Sequence, residues 1–438
     1  MLKLDALLLA RLQFAFSIGF HILFPMMTLG MTLFIALMES LHFIKKEAFY
    51  GRITDFLVRL LALVFVMGVA SGIVMEFSFG MNWSSFSRAV GDVFGPLLAA
   101  EGIFAFFLES VFLGILIFGR KRVSPRLYWL AALLVFIGGH LSAFWILAAN
   151  SWMQTPAGYS IQEGRYILTS FSLAVFNPST LPRLLHTVFA SWIVCALILA
   201  AIGGYYVRRG LAGKEVRVML KTGIIFFAVV PLLQLGTGHF HAIQVIDTQP
   251  LKAAAMEGHF ETGPGAPLYI VGWVKEGAQK TVGLYVPKFF SFLYNFDFNS
   301  VLKGLNDFPQ ELWPPVNLVF QSYHVMVGLG MLFIALGLYG LYLLWRGQIE
   351  KKGWYLWVLP FLIPLAHVAH EAGWVTAEVG RQPWLIYGLM KTVQGVSPVV
   401  SVGEIWFSFL VLGILYAVLF VFFLLFALRL VRRGVTSG

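Results

Sequence analysis

The sequence predicts an all-α integral membrane protein: one bundle of nine transmembrane helices, N-terminus outside and C-terminus cytoplasmic. Three observations predict it. The 438 residues are 59% hydrophobic and 12% charged, whereas soluble domains carry roughly 25% charged residues. Apolar runs recur at the ~20-residue length that crosses about 30 Å of hydrocarbon. The basic residues gather in alternate, short connections, as the positive-inside rule requires.

The spans run 14–38, 56–80, 97–118, 127–149, 185–207, 219–243, 317–345, 355–378 and 402–428. The first follows Arg11 and Gln13, contains His21 and lacks a small-residue cleavage site, so it is expected to stay as a helix. Lys45, Lys46 and Arg52 separate it from the second span. The third carries Glu101 and Glu109, and Arg120, Lys121, Arg122 and Arg126 lead into the fourth. His186 opens the fifth, which also holds Cys195, the only cysteine; that excludes a disulfide framework, a CxxCH haem attachment and a zinc cluster. Arg208, Arg209, Lys214, Arg217 and Lys221 precede the sixth. The seventh begins near SYHVMVGLGM, with Met326 beside Gly328 and Gly330. The eighth contains HVAHE and ends in GWVTAEVGRQPW, where Pro383 stops a helix. Arg429, Arg432 and Arg433 close the ninth on the inner side. With the basic residues so placed, the formal charge of +10 reports topology, and nucleic acid is not an expected partner.

The chain reads as a single membrane domain, 1–438, without internal repeats. Its one long excursion, 244–316, mixes Gly and Pro with charges and aromatics on the outer side. It is too long for a turn, and long loops on a rigid scaffold are often binding elements.

A charged group at mid-bilayer costs about 2.5–3.5 kcal/mol on insertion scales, so each one needs an account. Taken alone, His21 and His186 read as histidines bonded to neighbouring helices or lying at the interface, and Met326 reads as packing. Glu101 and Glu109, eight residues apart, are separated by about 12 Å of rise and about 80° of rotation on a regular helix; they read as a proton relay or haem-edge acid, or as a static bonded pair. On the eighth span His367, Glu371, Trp374 and Glu378 share one face. HVAHE reverses the HExxH order and does not favour a non-haem metal site. Topology brings His21, Glu101, His186, Met326 and Glu378 to similar depth on the outer side, the donor set that haem ligation needs.

Together with RLQFAFSIGFHILFP (11–25), HVMVGLGM, QPLKAAAMEG and GWVTAEVGRQPW, these residues make the whole chain resemble subunit I of the cytochrome bd-type quinol oxidases, in the cyanide-insensitive branch with a short quinol loop. The resemblance implies a low-spin haem b, a high-spin haem b and a chlorin haem d. His186 and Met326 match the axial pair of the low-spin haem; His21 and Glu378 match ligands of the two high-spin haems, with Glu101 at or close to one of them. Arg381, three residues beyond Glu378, can bond to a haem propionate or balance the charge of that carboxylate, and Trp374 lies on the same face as Glu378. Lys252 and Glu257 match quinol-site residues of the outer loop, although read blind they are an ordinary exposed pair. The implied enzyme oxidises ubiquinol or menaquinol near the outer face and reduces O2 to water with cytoplasmic protons, Glu109 serving the last proton steps. It builds proton motive force without pumping in a bacterial cytoplasmic (inner) membrane. Implied partners are subunit II and a small single-helix subunit. The chain departs from the family at His239 and His241, where members often carry an acidic residue, and at His324, where some carry arginine. The alternatives are a polytopic proton or cation transporter using the intramembrane carboxylates, and a haem-bearing electron-transfer subunit that does not reduce oxygen.

Overall fold

A computed structural model describes residues 5–435; the extreme ends of the expected 1–438 domain lie outside the described residues. Among those described, nine helices are long and apolar enough to cross a membrane. They are α1 Ala6–Lys45, α2 Ala48–Met81, α3 Ser84–Phe118, α4 Pro125–Gln154, α5 Thr180–Arg208, α6 Lys214–Thr248, then, beyond the outer segment, α8 Val316–Trp345, α9 Gly353–Val379 and α10 Val402–Arg433. Each expected span lies within one of them. The helices overrun the apolar runs because polar residues extend them into the headgroup layer and cap them. Asp5 accepts the Leu8 N–H, Ser124 accepts the Leu127 N–H ahead of Pro125, and Ser401 with Glu404 forms a capping box.

The centre of the bundle is built from α1, α2, α5, α6, α8 and α9. Lipid tails are as apolar as leucine, so close backbone approach rather than water exclusion holds such helices together. A Cβ on Gly223 of α6 would lie 2.5 Å from the Ala200 nitrogen of α5, and one on Gly337 of α8 would lie 2.3 Å from the Phe227 carbonyl of α6. By contrast α10 is apolar and mostly exposed, packing on α1 along one side through Tyr416 and Phe420.

The long segment between α6 and α8 is built of regular elements. Helix α6 continues past the expected boundary at 243 to Thr248. Helix α7, Pro250–Glu257, follows directly, and its Leu251, Ala254 and Ala255 are buried with Val319 and Phe320 of α8. A short antiparallel hairpin of β1, Tyr159–Gln162, and β2, Arg165–Leu168, joins α4 to α5, and in the segment after α7 a longer one of β3, Leu268–Lys275, and β4, Lys280–Val286, lies along the start of α8.

Candidate functional site

The stretch that ends α9 gathers the densest polar cluster. Glu378 Oε1 accepts from Asn150 Nδ2 at 3.1 Å and Gln154 Nε2 at 3.2 Å, both on the last turns of α4, and Oε2 accepts from Arg381 Nη2. A carboxylate has about four lone-pair sites, so one remains open on Oε2. Gln154 Oε1 in turn accepts from Lys252 Nζ at 2.6 Å and Gln249 Nε2 at 3.1 Å. Lys252, Arg183 and Arg381 are all buried around this one carboxylate. Burial pushes the Lys252 ammonium well below the usual lysine range; Arg183 and Arg381 push it further and Glu378 opposes them. Arg183 Nε and Arg381 Nε and Nη1 have no acceptor. Buried guanidinium N–H groups without acceptors are costly, and a carboxylate-bearing group is the chemistry that completes them.

Deeper in the bundle, His186 Nδ1 is buried without a partner. Its ring lies 5.8 Å from that of His241, whose Nε2 is also unpartnered. A Cβ at Gly238 would sit 3.1 Å from His186 Cε1, and one at Gly373 of α9 would sit 2.9 Å from Met326 Sδ. One turn of α9 makes room for Met326 at Gly373 and sets His370 to accept the Trp374 indole N–H at 2.6 Å. The Trp374 nitrogen is therefore turned to His370 and not to Glu378.

His21 Nδ1 lies 3.0 Å from Ser71 Oγ on α2. The Ser71 hydroxyl donates to the Met67 carbonyl at 2.7 Å, so its oxygen accepts from His21 Nδ1–H. Nε2 then keeps its lone pair, the tautomer that metal ligation needs. A Cβ at Gly72 would meet the His21 ring at 3.1 Å. From α9, Glu371 reaches α1 near Gly19, with Oε1 buried and unpartnered.

The two carboxylates of α3 differ from the regular-helix reading. Immediately after Glu101 the helix carries a π segment, Gly102–Phe106. The extra residue in that turn cancels about 100° of rotation, which changes the separation of Glu101 and Glu109 from about 80° to about 20°. Both therefore face α4: Glu101 Oε1 accepts from Ser142 Oγ at 2.8 Å, and Glu109 packs on Gly138 and Gly139, one turn along.

On α7, Lys252 and Glu257 are not the exposed pair of the blind reading: they are 3% and 2% exposed. Five residues set them roughly 140° apart on the helix, and they serve different sides. Lys252 joins the Glu378 cluster, whereas Glu257 faces the backbone of Tyr269 on β3 and the hydroxyl of Tyr323 on α8, both of which favour its charged form. Burial pushes the Glu257 carboxyl up to about 8 in spite of both, and its Oε2 has no partner. His324 is occupied on both nitrogens, Nδ1 at 2.8 Å from the Phe320 carbonyl and Nε2 at 2.9 Å from that of Tyr269. His239 packs against Phe240 and Phe296.

Sequence reasoning missed Asn150, Gln154 and Arg183. A signal existed: NSWMQ places two amides four residues apart at the end of an apolar run, and intramembrane amides need partners as charges do.

Comparison with known proteins agrees with this architecture. The family model for cytochrome bd terminal oxidase subunit I matches residues 9–435. The cytochrome bd ubiquinol oxidase subunit 1 of Bacillus subtilis (strain 168) is 36% identical over 98% of this chain and 94% of its own. The cytochrome bd-II ubiquinol oxidase subunit 1 of Escherichia coli (strain K12) is 33% identical over 94% and 93%. The solved bd oxidase from Geobacillus thermodenitrificans superposes with a TM-score of 0.91 at 28% identity, covering 99% of this chain and 100% of that one. These matches leave the transporter alternative without support. On sequence, on length and on fold, the chain belongs to the cytochrome bd terminal oxidase subunit I family.

Proposed function

We propose that this chain, the catalytic subunit of a bacterial terminal quinol oxidase, oxidises quinol beside Glu257 at its outer end and holds its haems in the bundle beneath. The observation that carries the reading is the set of buried, unpartnered atoms at that end: His186 Nδ1, His241 Nε2, Arg183 Nε and Arg381 Nε and Nη1. Such atoms fit planar, carboxylate-bearing cofactors. His186 and Met326 would hold a low-spin haem b, and a His/Met pair suits a haem that passes electrons. His21 and Glu378, with Glu101 close to one of them, would serve a high-spin haem b and a haem d; Arg381 and Arg183 would bond propionates, with Trp374 packed alongside. When bound, the haems supply electron transfer and the iron at which oxygen is reduced.

The chain's own residues manage the protons. Glu257 is buried, and its free Oε2 can accept the proton of a quinol hydroxyl as a general base. Tyr323 and the Tyr269 backbone orient that carboxylate. Lys252 acts one layer away, holding Gln154 and through it Glu378. Glu109 and Glu101, aligned on α4 by the π segment, offer proton-holding positions toward the outer third of the bundle. Uptake of protons from the cytoplasm and release of quinol protons outside separates charge without pumping, and requires the N-terminus outside. As subunit I, the chain works with subunit II; a small single-helix subunit completes the proposed complex.

The test is the purified complex in detergent. A chlorin band at the red end of the visible spectrum, b-haem bands and quinol-dependent oxygen uptake are expected. A colourless preparation refutes the reading, and b-haem bands without oxygen uptake favour a pure electron-transfer subunit.

A further inference from the structure

The β3–β4 hairpin has its polarity inverted. An antiparallel hairpin at a protein surface normally turns apolar side chains inward and polar ones outward. Here the inward face is Gly272 opposite Gly283 and Val274 opposite Thr281, packed on Phe320 and Gly258. The outward face is Val271 opposite Leu284 and Trp273 opposite Val282, at 68%, 66%, 58% and 47% exposure. Lysines appear on that face only at the turn, where Lys275 pairs with Lys280.

The hairpin's depth follows from its register on α8. Asn317 Oδ1 accepts the Val274 N–H at 3.1 Å, Gln321 Nε2 donates to the Gly272 carbonyl at 2.8 Å, and His324 Nε2 lies 2.9 Å from the Tyr269 carbonyl. Strand β3 thus descends α8 from its first turn toward the bilayer. Thirty residues of helix are about 45 Å long and exceed about 30 Å of hydrocarbon by roughly five residues at each end, which places the hydrocarbon edge near Gln321. Val271 and Leu284 then lie at or below that edge, Trp273 at the interface, where tryptophan is enriched, and the lysines among the headgroups. The outward face continues onto exposed Leu318 and Val325 of α8. On β3 the three α8 side chains also occupy backbone groups that the strand turns away from β4, the Val274 N–H and the Gly272 and Tyr269 carbonyls, which bare lipid would leave unpaired.

We propose that this hairpin is immersed in the outer leaflet, its Val271, Trp273, Val282 and Leu284 face contacting lipid tails. It forms the wall between the bilayer and Glu257, whose carboxylate faces the Tyr269 backbone on the hairpin's inner side. The lipid contact stands whether or not Glu257 is the quinol base.

The test places nitroxide labels on Val271→Cys, Leu284→Cys and, at the turn, Ala278→Cys in the whole oxidase reconstituted into liposomes. Native Cys195 is buried, and the unsubstituted complex is the labelling blank. Collisions with oxygen, which partitions into lipid, and with a water-soluble nickel chelate are compared by power saturation. Expected is a lipid pattern at 271 and 284 and an aqueous pattern at 278. An aqueous pattern at 271 and 284 overturns the proposal, and so does shielding from both reagents, which would mean that a protein subunit covers the face. Should the substituted complexes fail to assemble, the unsubstituted one is photolabelled with a bilayer-partitioned diazirine: adducts on residues 270–273 and 282–284 are expected, and none there overturns the proposal.

Discussion

Glu257 has the most direct chemical consequence of any single residue. A carboxyl raised to about 8 is protonated below that pH and available as a base above it. Quinol oxidation at limiting quinol should therefore rise as pH increases through about 8. Replacing Glu257 with Gln should remove that rise and slow turnover by roughly 10²–10⁴-fold, the usual contribution of a general base, with haem content unchanged. Steady-state oxygen uptake across pH checks both, and a pH profile identical to wild type would count against the assignment. At Met326 the expectation is spectroscopic: Met326→Leu should leave the low-spin haem five-coordinate and the high-spin haems as they were. An unaltered reduced spectrum would rule Met326 out as a ligand. Both residues are singled out in the sequence only by the family resemblance of the motifs around them. A methionine in an apolar helix carries no signal of its own, and only the surrounding motif marked it. Taken from the sequence alone Glu257 is an exposed residue, because eight residues rich in alanine do not reveal that α8 and a hairpin close over them.

Helices couple these residues to the fold. The π segment of α3 was invisible in the sequence, since GIFAF has no residue that demands it, yet it decides that Glu101 and Glu109 face the same helix. Replacing Glu109 with Gln should slow oxygen reduction at saturating quinol while leaving haem content intact, and full turnover would remove Glu109 from the proton route. Glycine contacts set the helix spacing. A methyl at Gly337 would strike the Phe227 carbonyl, so Gly337→Ala should destabilise the complex by about 1–3 kcal/mol, the common cost of overpacking, and Gly337→Val by more. Loss of haem absorbance on heating measures this, and equal midpoints for all three proteins would refute it.

For the molecule as a whole, the predicted output is charge separation. In proteoliposomes holding the oxidase in one orientation, protons appearing on the quinol side should equal the electrons transferred, with none in excess. An excess would mean pumping and would require a route that the proposed carboxylates do not supply. The geometry suits this economy: Glu257, the Glu378 cluster and the unpartnered donors all lie toward one end, so on the proposed mechanism the protons consumed have most of the bilayer to cross.

By itself the sequence determined the nine-helix membrane bundle and, through its motifs, the family. Bilayer thickness sets span length and the cost of burying charge makes every intramembrane polar residue conspicuous. Tertiary structure alone decided which of those residues meet. It joined Lys252 to Glu378 through Gln154 and turned Glu257 to Tyr323. It aligned Glu101 with Glu109 through a π turn and laid a hairpin with its apolar face outward along α8. Partners across a bundle depend on crossing angles, on which glycines admit a neighbour and on where a helix gains a residue in its turn, and none of these is encoded in the hydropathy of one span read alone.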